Sequence, residues 1–464
     1  MLRRSGVCVP AMVLVGLLFG FAFLPPTSEA AVYPLAVSSN GRYLIDQTGQ
    51  PFFWAGDTAW SLIAQLTLAD AEHYLENRRQ KGFNVVLVNL LEHAFATNAS
   101  ANIFGESPFS GTPFITPNAA YFAHADAVIT AAAQRGIVVL LSPLYLGYGC
   151  GSQGWCAEVK AASVTAMRTW GQYVGNRYKN FDNIVWLIGG DTDPTPVLDK
   201  VSAFVTGLRE FDTRHLITAH NWRGSFAVTP WPSASWLTVN NVYASGPTIY
   251  QNSKTAYNRS PVLPFFLLEG IYENEHSSTP QGLRAEIYWL RLSGGLGGNF
   301  GNCPIWHFGY SSSWCGLTNW KAQLDGPGSI GVSHAKRLFT SRAWHTLVPD
   351  FDHTVLTAGY GTWGANDYAA AARTADGASV IAYLPTARTV TVDLTRLSGS
   401  QAKAWWYNPA SGISTSIGTF ANSGPHTFTP PGSGDWVLLL DDASRNLPAP
   451  GSVLPVAPNN LRVH

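Results

Sequence analysis

The sequence predicts an α/β fold in which a (β/α)8 barrel is followed by an antiparallel β-sandwich. Two observations predict the barrel: eight short apolar runs follow one another over about 300 residues, and segments with helical periodicity lie between most of them. Parallel strands that are buried on both faces read as continuous apolar runs and need crossover helices. The third observation is an alternation of apolar and polar residues with period two in 355–441, which predicts the sandwich.

The predicted barrel strands span 51–60, 83–91, 137–145, 183–191, 216–221, 237–243, 264–270 and 302–308. Helical periodicity is clearest in three segments, 68–82, 122–136 and 159–180. Gly82 and Gly136 stand where a helix C-cap is expected. The fifth helix is short or missing, because 222–236 lacks a clear helical pattern. An open, doubly wound sheet is the alternative fold, but eight strands and no phosphate loop at the first turn favour the barrel.

The predicted domains are a secretory signal peptide, the barrel, the sandwich and a Pro-rich tail, spanning 1–30, 31–354, 355–442 and 443–464. Arg3 and Arg4 precede an apolar stretch and then small residues ending at Ala30, which is the pattern of a cleaved signal. The protein is therefore expected to be secreted, to the extracellular or periplasmic space. An uncleaved anchor is the alternative, because the apolar stretch just reaches the length of a membrane span.

Charge and composition narrow the class of partner. The 29 Lys and Arg residues balance the 29 Asp and Glu residues, so nothing electrostatic favours nucleic acid or an anionic membrane. The chain contains 17 Trp, 18 Tyr and 23 Phe residues, and aromatic faces stack on sugar rings, although large β-rich proteins also bury aromatics. We therefore expect an oligo- or polysaccharide partner. No cofactor or metal site is predicted, and the sequence contains neither G-x-S-x-G nor H-E-x-x-H.

Four cysteines follow the predicted signal peptide, and Cys8 lies within it. An even number of cysteines in an exported chain favours disulfides. The expected pairs are Cys150 with Cys156 and Cys303 with Cys315, because each pair lies within one loop rich in Gly and Trp. A zinc site is the alternative, but the spacings C-x5-C and C-x11-C match no zinc-finger pattern.

Polar and aromatic side chains follow every predicted strand, at the end of the barrel where active sites lie. A sugar pocket needs hydrogen-bonding groups for hydroxyls and apolar faces for rings. The predicted substrate-binding residues are Asp57, Trp60, Asn89, His93, Tyr145, His220, Asn221, Tyr243, Glu273, Trp306 and His307.

Two apolar runs end on carboxylates, NIVWLIGGD on Asp191 and PFFLLE on Glu269. Strands 4 and 7 face each other across an eight-stranded barrel, so both acids are predicted to point into one cavity. Cleavage of a glycosidic bond needs two carboxyl groups, about 5–5.5 Å apart for retention or about 6.5–9.5 Å for inversion. Asp191 and Glu269 are therefore the predicted catalytic residues. In the structural alternative, Asp191 caps a turn and Glu269 holds a backbone amide.

Four motifs in the same order, PFFWAGDTAW, YLENRRQKGFNVV, NIVWLIGGD and FFLLEGIYE, resemble the apiosidase-like glycoside hydrolases over nearly all of 35–441. The resemblance implies a barrel related to retaining glycosidases, with Asp191 as acid/base and Glu269 as nucleophile. It also implies that 355–441 is a β-domain of the type labelled collagen-binding. This chain departs from the wider superfamily because its fourth strand ends in Gly-Asp instead of Asn-Glu. The family's named activity is the release of apiose from branched pectin.

These observations together predict a secreted glycoside hydrolase that cleaves a plant or microbial polysaccharide with retention of configuration. The first alternative is a catalytically inactive protein that binds carbohydrate through the barrel pocket and the sandwich. The second is a collagen-directed protein, which only the label on the second domain suggests.

Overall fold

The computed structural model describes residues 31–452, so the predicted signal peptide and the end of the Pro-rich tail, 453–464, lie outside the described residues. Before the barrel, three two-residue strands form a small antiparallel sheet, Ala36–Val37, Leu44–Ile45 and Pro51–Phe52. In the described part of the chain, no helix is both long and apolar enough to cross a membrane.

Eight parallel strands form the barrel wall: β1 Trp54–Thr58, β2 Val85–Asn89, β3 Val138–Ser142, β4 Ile184–Gly189, β5 Ile217–His220, β6 Asn240–Tyr243, β7 Phe265–Glu269 and β8 Gly297–Asn302. Neighbouring strands pair in the order β5-β4-β3-β2-β1-β8-β7-β6. The two end strands meet where the amide of Thr238 donates to the carbonyl of Ile217 at 2.9 Å. Asn241 also donates to the carbonyl of Ala219 at 2.7 Å. The barrel is nearly closed, which confirms the predicted fold class.

Among the described residues, seven α-helices of ten or more residues lie between or after the barrel strands: α1 Leu68–Gln80, α2 Ala119–Ala133, α3 Val164–Tyr178, α4 Leu198–Phe211, α5 Thr248–Tyr257, α6 Pro280–Leu292 and α7 Pro327–Thr340. Three shorter helices span Leu62–Gln65, Cys156–Ala161 and Cys303–Trp306. The connection between β5 and β6 is fully described and contains no helix, as the pattern in 222–236 predicted. Gly82 and Gly136 follow α1 and α2 with φ of +82° and +65°, so both C-cap predictions are confirmed.

The eighth strand corrects the sequence prediction, which placed it at 302–308. The strand is Gly297–Asn302, and most of the predicted segment is a short helix. A Cβ atom at Gly297 would lie 1.9 Å from the carbonyl oxygen of Trp54, and one at Gly298 would lie 2.6 Å from Cβ of Leu267. Close backbone packing therefore buries β8 with few apolar side chains, and a hydrophobicity pattern does not detect such a strand.

The C-terminal domain contains nine strands: β9 Leu347–Pro349, β10 Leu356–Ala358, β11 Ala370–Thr374, β12 Ser379–Leu384, β13 Val390–Asp393, β14 Gln401–Asn408, β15 Ile413–Ala421, β16 Pro425–Phe428 and β17 Trp436–Asp442. They form a six-stranded sheet, β9-β11-β12-β17-β14-β15, and a three-stranded sheet, β10-β13-β16. All neighbours pair antiparallel. The core of the domain includes Val392, Trp406 and Leu438. This architecture confirms the predicted β-sandwich.

Two buried ion pairs fasten the sandwich to the barrel. Arg284 of α6 donates to both carboxylate oxygens of Asp435, at 2.9 and 2.7 Å. Arg342, just after α7, makes the same two-pronged contact with Asp441 at 2.8 and 2.7 Å. Burying such charges is costly unless they are paired and hydrogen-bonded, so each arginine depends on its partner.

Candidate active site

Asp191 and Glu269 lie at the carboxyl ends of β4 and β7, on the face of the barrel that the sequence predicted. Glu269 is the last residue of β7, and Asp191 follows β4 after Gly189 and Gly190. Gly189 has φ +94°, and a Cβ atom at Gly190 would lie 2.2 Å from the amide nitrogen of Leu146. Only a glycine pair lets the chain pass between the ends of its neighbouring strands and present Asp191 at the rim.

Tyr145 and Tyr243 lie near both acids. The charges of Asp191 and Glu269 both raise the pKa of each tyrosine, in addition to the effect of burial. The charge of Asp191 likewise raises the pKa of Glu269. Since such effects need short distances in a poorly solvated site, the structure brings the two predicted catalytic residues together.

Both acids are shifted towards the protonated form. Burial, followed by the charge of Asp191, raises the pKa of Glu269 to about 7. Burial also raises the pKa of Asp191, although the hydroxyl of Tyr243 and the charge of Arg223 oppose this shift. Two carboxyl groups that repel each other lose their protons in separate steps, so the pair can hold one proton near neutral pH.

Glu269 is held by a short chain of hydrogen bonds. The hydroxyl of Tyr272 donates to Oε1 of Glu269 at 3.1 Å, and the indole of Trp60 donates to the Tyr272 oxygen at 3.2 Å. Donors that bind the carboxylate stabilise its charged form and fix the direction of its oxygens.

Arg223 is a site residue that sequence reasoning missed. Its guanidinium lies 4.6 Å from the ring centroid of Tyr243, in the loop after β5, and its charge lowers the pKa of both Asp191 and Glu269. The only signal in the sequence was its position in a loop that follows a strand end.

Four of the predicted substrate-binding residues form an aromatic wall, Trp60, Tyr145, His220 and Tyr243. The His220 ring stacks on Trp60 with centroids 5.6 Å apart, and it lies 6.0 Å from Tyr145 and 5.3 Å from Tyr243. Burial lowers the pKa of His220 to about 3, so the ring is uncharged. Both ring nitrogens are buried, and neither has a hydrogen-bond partner among the described residues.

Trp306 belongs to the same buried cluster as Trp60 and Tyr145. Its indole donates to Oε1 of Glu275 at 2.9 Å. Burial raises the pKa of Glu275, an acid in the loop after β7 that the sequence did not single out. Trp306 thus extends the aromatic wall, and Glu275 adds a polar group beside it.

Asp57 and Glu273 correct the prediction of substrate ligands, because both carboxylates are buried in the outer layer of the barrel. Asp57 pairs with Arg78 of α1 and accepts the hydroxyl of Tyr74 at 2.6 Å. Glu273 accepts the amide of Gly328, at the start of α7, at 2.8 Å. Side chains alternate across a strand, and these two face the helices and not the pocket.

The two predicted asparagine ligands support the backbone of loops. Asn89 donates to Glu92 at 3.3 Å, and Glu92 itself accepts the backbone amide of His93 at 2.9 Å. Asn221 donates to the carbonyl of Phe226 at 2.8 Å, which shapes the loop after β5. Both side chains are buried and bind the protein itself, which corrects the prediction that they bind substrate.

The histidines His93 and His307 also make protein contacts. The His93 ring nitrogens lie 3.0 Å from the carbonyl of Ser152 and 3.3 Å from Glu158, which links the loops after β2 and β3. His307 is fully buried 3.9 Å from the sulfur of Cys303, and burial lowers its pKa to about 4. The prediction of a substrate ligand is corrected for the buried His307 and stays a prediction for His93, whose side chain is 23% exposed.

Both predicted disulfides are present, Cys150 with Cys156 in the loop after β3 and Cys303 with Cys315 in the loop after β8. The pairing is confirmed, and the zinc alternative is wrong. Within 31–452, no group of three or more His, Cys, Asp or Glu side chains is arranged to hold a metal ion.

A barrel with two carboxyl groups at the ends of β4 and β7, flanked by an aromatic wall, is typical of one class of enzyme. The protein is a glycoside hydrolase. It belongs to the apiosidase-like family, whose catalytic-domain model matches residues 38–346. A second model, described as a collagen-binding domain of a collagenase, matches residues 352–441. The suspected resemblance is thereby confirmed.

Solved structures with the same architecture are also glycoside hydrolases. One is 27% identical to the chain with a TM-score of 0.79, and the match covers 88% of this chain and 97% of the other. A family 5 glycoside hydrolase from Bacteroides vulgatus is 25% identical with a TM-score of 0.78, covering 88% and 93%. A comparison with curated protein sequences gave no significant match.

Proposed function

We propose that the protein is a secreted, retaining glycoside hydrolase that acts on a plant or microbial polysaccharide, with Asp191 as acid/base and Glu269 as nucleophile. The observation that carries this proposal is the pair of acids at the ends of β4 and β7. Burial raises both pKa values, and the charge of Asp191 further raises that of Glu269. Retaining catalysis needs one protonated and one ionised carboxyl group at the same pH.

The family resemblance assigns these roles; in the free site the raised pKa of Glu269 favours its protonated form, so the assignment rests on the positions of the acids and not on these pKa values. Glu269 is only 8% exposed, and the hydroxyl of Tyr272 fixes one of its oxygens. A nucleophile needs such a fixed direction towards the anomeric carbon. Asp191 is half-buried at the rim, so it can exchange protons with solvent between the two steps of the reaction.

The reaction follows from these positions. Asp191 donates its proton to the glycosidic oxygen while the Glu269 carboxylate attacks the anomeric carbon, which breaks the glycosidic bond and forms a glycosyl ester. Asp191, now ionised, removes a proton from water, and the resulting hydroxide displaces Glu269 from the anomeric carbon. Both carboxyl groups return to their starting states.

The family description makes glycosides of apiose the first substrates to test. The named activity of the family that the sequence resembles makes branched pectin their source. Secretion is supported by the two disulfides, because such bonds persist in oxidising compartments.

A reducing-sugar assay over plant and bacterial polysaccharides tests the proposal, with Asp191→Asn and Glu269→Gln as inactive controls. We expect the wild type to release sugar from at least one polymer and both variants to lose this activity. Binding of a polymer without any release by the wild type would instead favour the inactive carbohydrate-binding protein.

A further inference from the structure

The loop after β8 carries an exposed tryptophan beside the disulfide that closes it. Trp314 directly precedes Cys315, which is bonded to Cys303, the first residue after β8. The side chain of Trp314 is 47% exposed, although the ring is large and apolar. An exposed aromatic face offers a stacking surface to a ligand.

Two aromatic rings support Trp314 without covering it. Its ring centroid lies 5.7 Å from Trp306 and 6.0 Å from Phe95, each at an interplanar angle of 67°. Phe95 and Trp306 themselves pack edge to face at 5.0 Å. Among the described residues no aromatic ring lies parallel to Trp314, so stacking on its exposed part remains open to a ligand.

This aromatic group is continuous with the catalytic site. The carbonyl of Trp306 accepts the amide of Ser61 at 3.2 Å, directly after Trp60 in the chain. Trp60 in turn binds the tyrosine hydroxyl that holds Glu269. A ligand on Trp314 therefore lies next to the pocket that contains the acids.

A polar partner stands beside the rings. One oxygen of Glu275 accepts the indole N–H of Trp306, and the side chain retains 14% exposure. An apolar ring face with a hydrogen-bond acceptor beside it is the combination that binds a sugar unit.

We propose that Trp314, backed by Phe95 and Trp306, is the stacking platform for a second sugar unit of the substrate, next to the unit held at the acids. This inference rests on the proposed function and makes an oligo- or polysaccharide the preferred substrate over a single-sugar glycoside. The disulfide between Cys303 and Cys315 limits the freedom of the loop, so less entropy is lost when the sugar binds.

The test uses the full-length Glu269→Gln protein, in which hydrolysis is blocked. Its affinity for soluble pectin, xylan, mannan and glucan is measured by retardation in gels, and its affinity for free apiose by calorimetry. We expect Trp314→Ala to weaken binding of the retained polymer about tenfold and to leave any apiose binding unchanged. Trp314→Phe keeps a stacking ring and should restore most of the affinity.

Phe104→Ala is the matched control, because Phe104 is 61% exposed and packs on His124 of α2, outside the platform. Equal polymer retardation by the Trp314→Ala and parent proteins, or retardation by none of the four polymers, overturns the platform. If the wild type hydrolyses a polymer while Trp314→Ala changes nothing, only the platform is lost. If retardation depends on Trp314 but the wild type hydrolyses nothing, the platform stands and the proposed hydrolysis fails.

Discussion

The hydroxyl of Tyr272 lies 3.1 Å from Oε1 of Glu269 and donates a hydrogen bond to it. Tyr272 stands three residues beyond the acid, on the short strand Tyr272–Glu273 that pairs with β8. The chain turns back directly after β7, so Tyr272 can donate to the carboxylate of Glu269, the last residue of that strand. The turn between β7 and this short strand therefore helps to set the pKa of Glu269, the proposed nucleophile.

Replacing Tyr272 with Phe should slow the enzyme, because Glu269 loses a donor that stabilises its charge. We expect kcat/KM to fall by roughly 10-fold to 100-fold. The acidic limb of the pH profile should move to higher pH, since a lost bond to the charged form raises the pKa of Glu269. Tyr148→Phe, at an exposed tyrosine of the rim, is the control and should leave the profile unchanged. An unshifted profile in Tyr272→Phe would show that the bond does not govern this ionisation.

Azide should affect the Asp191→Ala and Glu269→Ala variants in different ways. Asp191→Ala removes the proton donor, so an activated aryl glycoside should lose less activity than a substrate with a poor leaving group. Azide should then restore turnover by attacking the glycosyl ester, where no base is needed. Glu269→Ala should form no ester, and azide should give a glycosyl azide of inverted configuration. The reverse pattern would exchange the roles, and an inverted sugar from the wild type would contradict the retaining mechanism.

The raised pKa of Glu269 should make stability depend on pH. Because the pKa rises from 4.5 to about 7 on folding, the folded protein binds more protons than the unfolded chain between these values. Stability therefore falls as pH rises through this window. Glu269→Gln removes the cost of ionising a buried carboxyl group. Above pH 7, its free energy of unfolding in denaturant should therefore exceed that of the wild type by up to about 3 kcal/mol.

The control for this measurement is Glu210→Gln. Hydrogen bonds from Gln172 and Arg168 lower the pKa of Glu210, so its contribution to stability is present above its unfolded pKa and is lost in acid. The Glu210→Gln difference from the wild type should have the opposite sign. A stability difference between Glu269→Gln and the wild type that does not vary with pH would argue against a raised pKa.

The buried pair between Arg284 and Asp435 should matter far more than a surface pair. Arg284→Ala leaves the carboxylate of Asp435 uncompensated in the junction between barrel and sandwich, and we expect a loss of about 3–5 kcal/mol in chemical unfolding. Arg168→Ala breaks the exposed pair with Glu210 and should cost only a small fraction of this loss. Similar losses in the two variants would mean that the buried pair does not fasten the sandwich.

Reduction should release four thiols from the native protein, two from each disulfide. Each bond closes a short loop and should contribute about 2–3 kcal/mol in the chain-entropy model. The mass before and after reduction counts the bonds. The mass of secreted material also locates the mature N-terminus, which we expect after Ala30 or Ala31.

Local patterns in the sequence were sufficient to predict much of the fold. Seven of the eight barrel strands lie within the apolar runs, because strands buried on both faces need continuous apolar residues. The acids Asp191 and Glu269 could be singled out since each ends such a run, and the two disulfides because each joins neighbours in one loop. These features depend on residues close together in the chain.

The tertiary structure decided which of the strand-end side chains face the cavity. Asp57 shares the strand-to-carboxylate pattern of Asp191, but its side chain points to Arg78 of α1, and the pattern does not record this direction. Arg223 and Trp314 lie in loops whose course depends on distant contacts, and β8 is buried by backbone approach. The direction of a side chain, the course of a loop and the close approach of two backbones depend on contacts between residues far apart in the chain. Hydrophobic periodicity is a local property, so it carries no information about them.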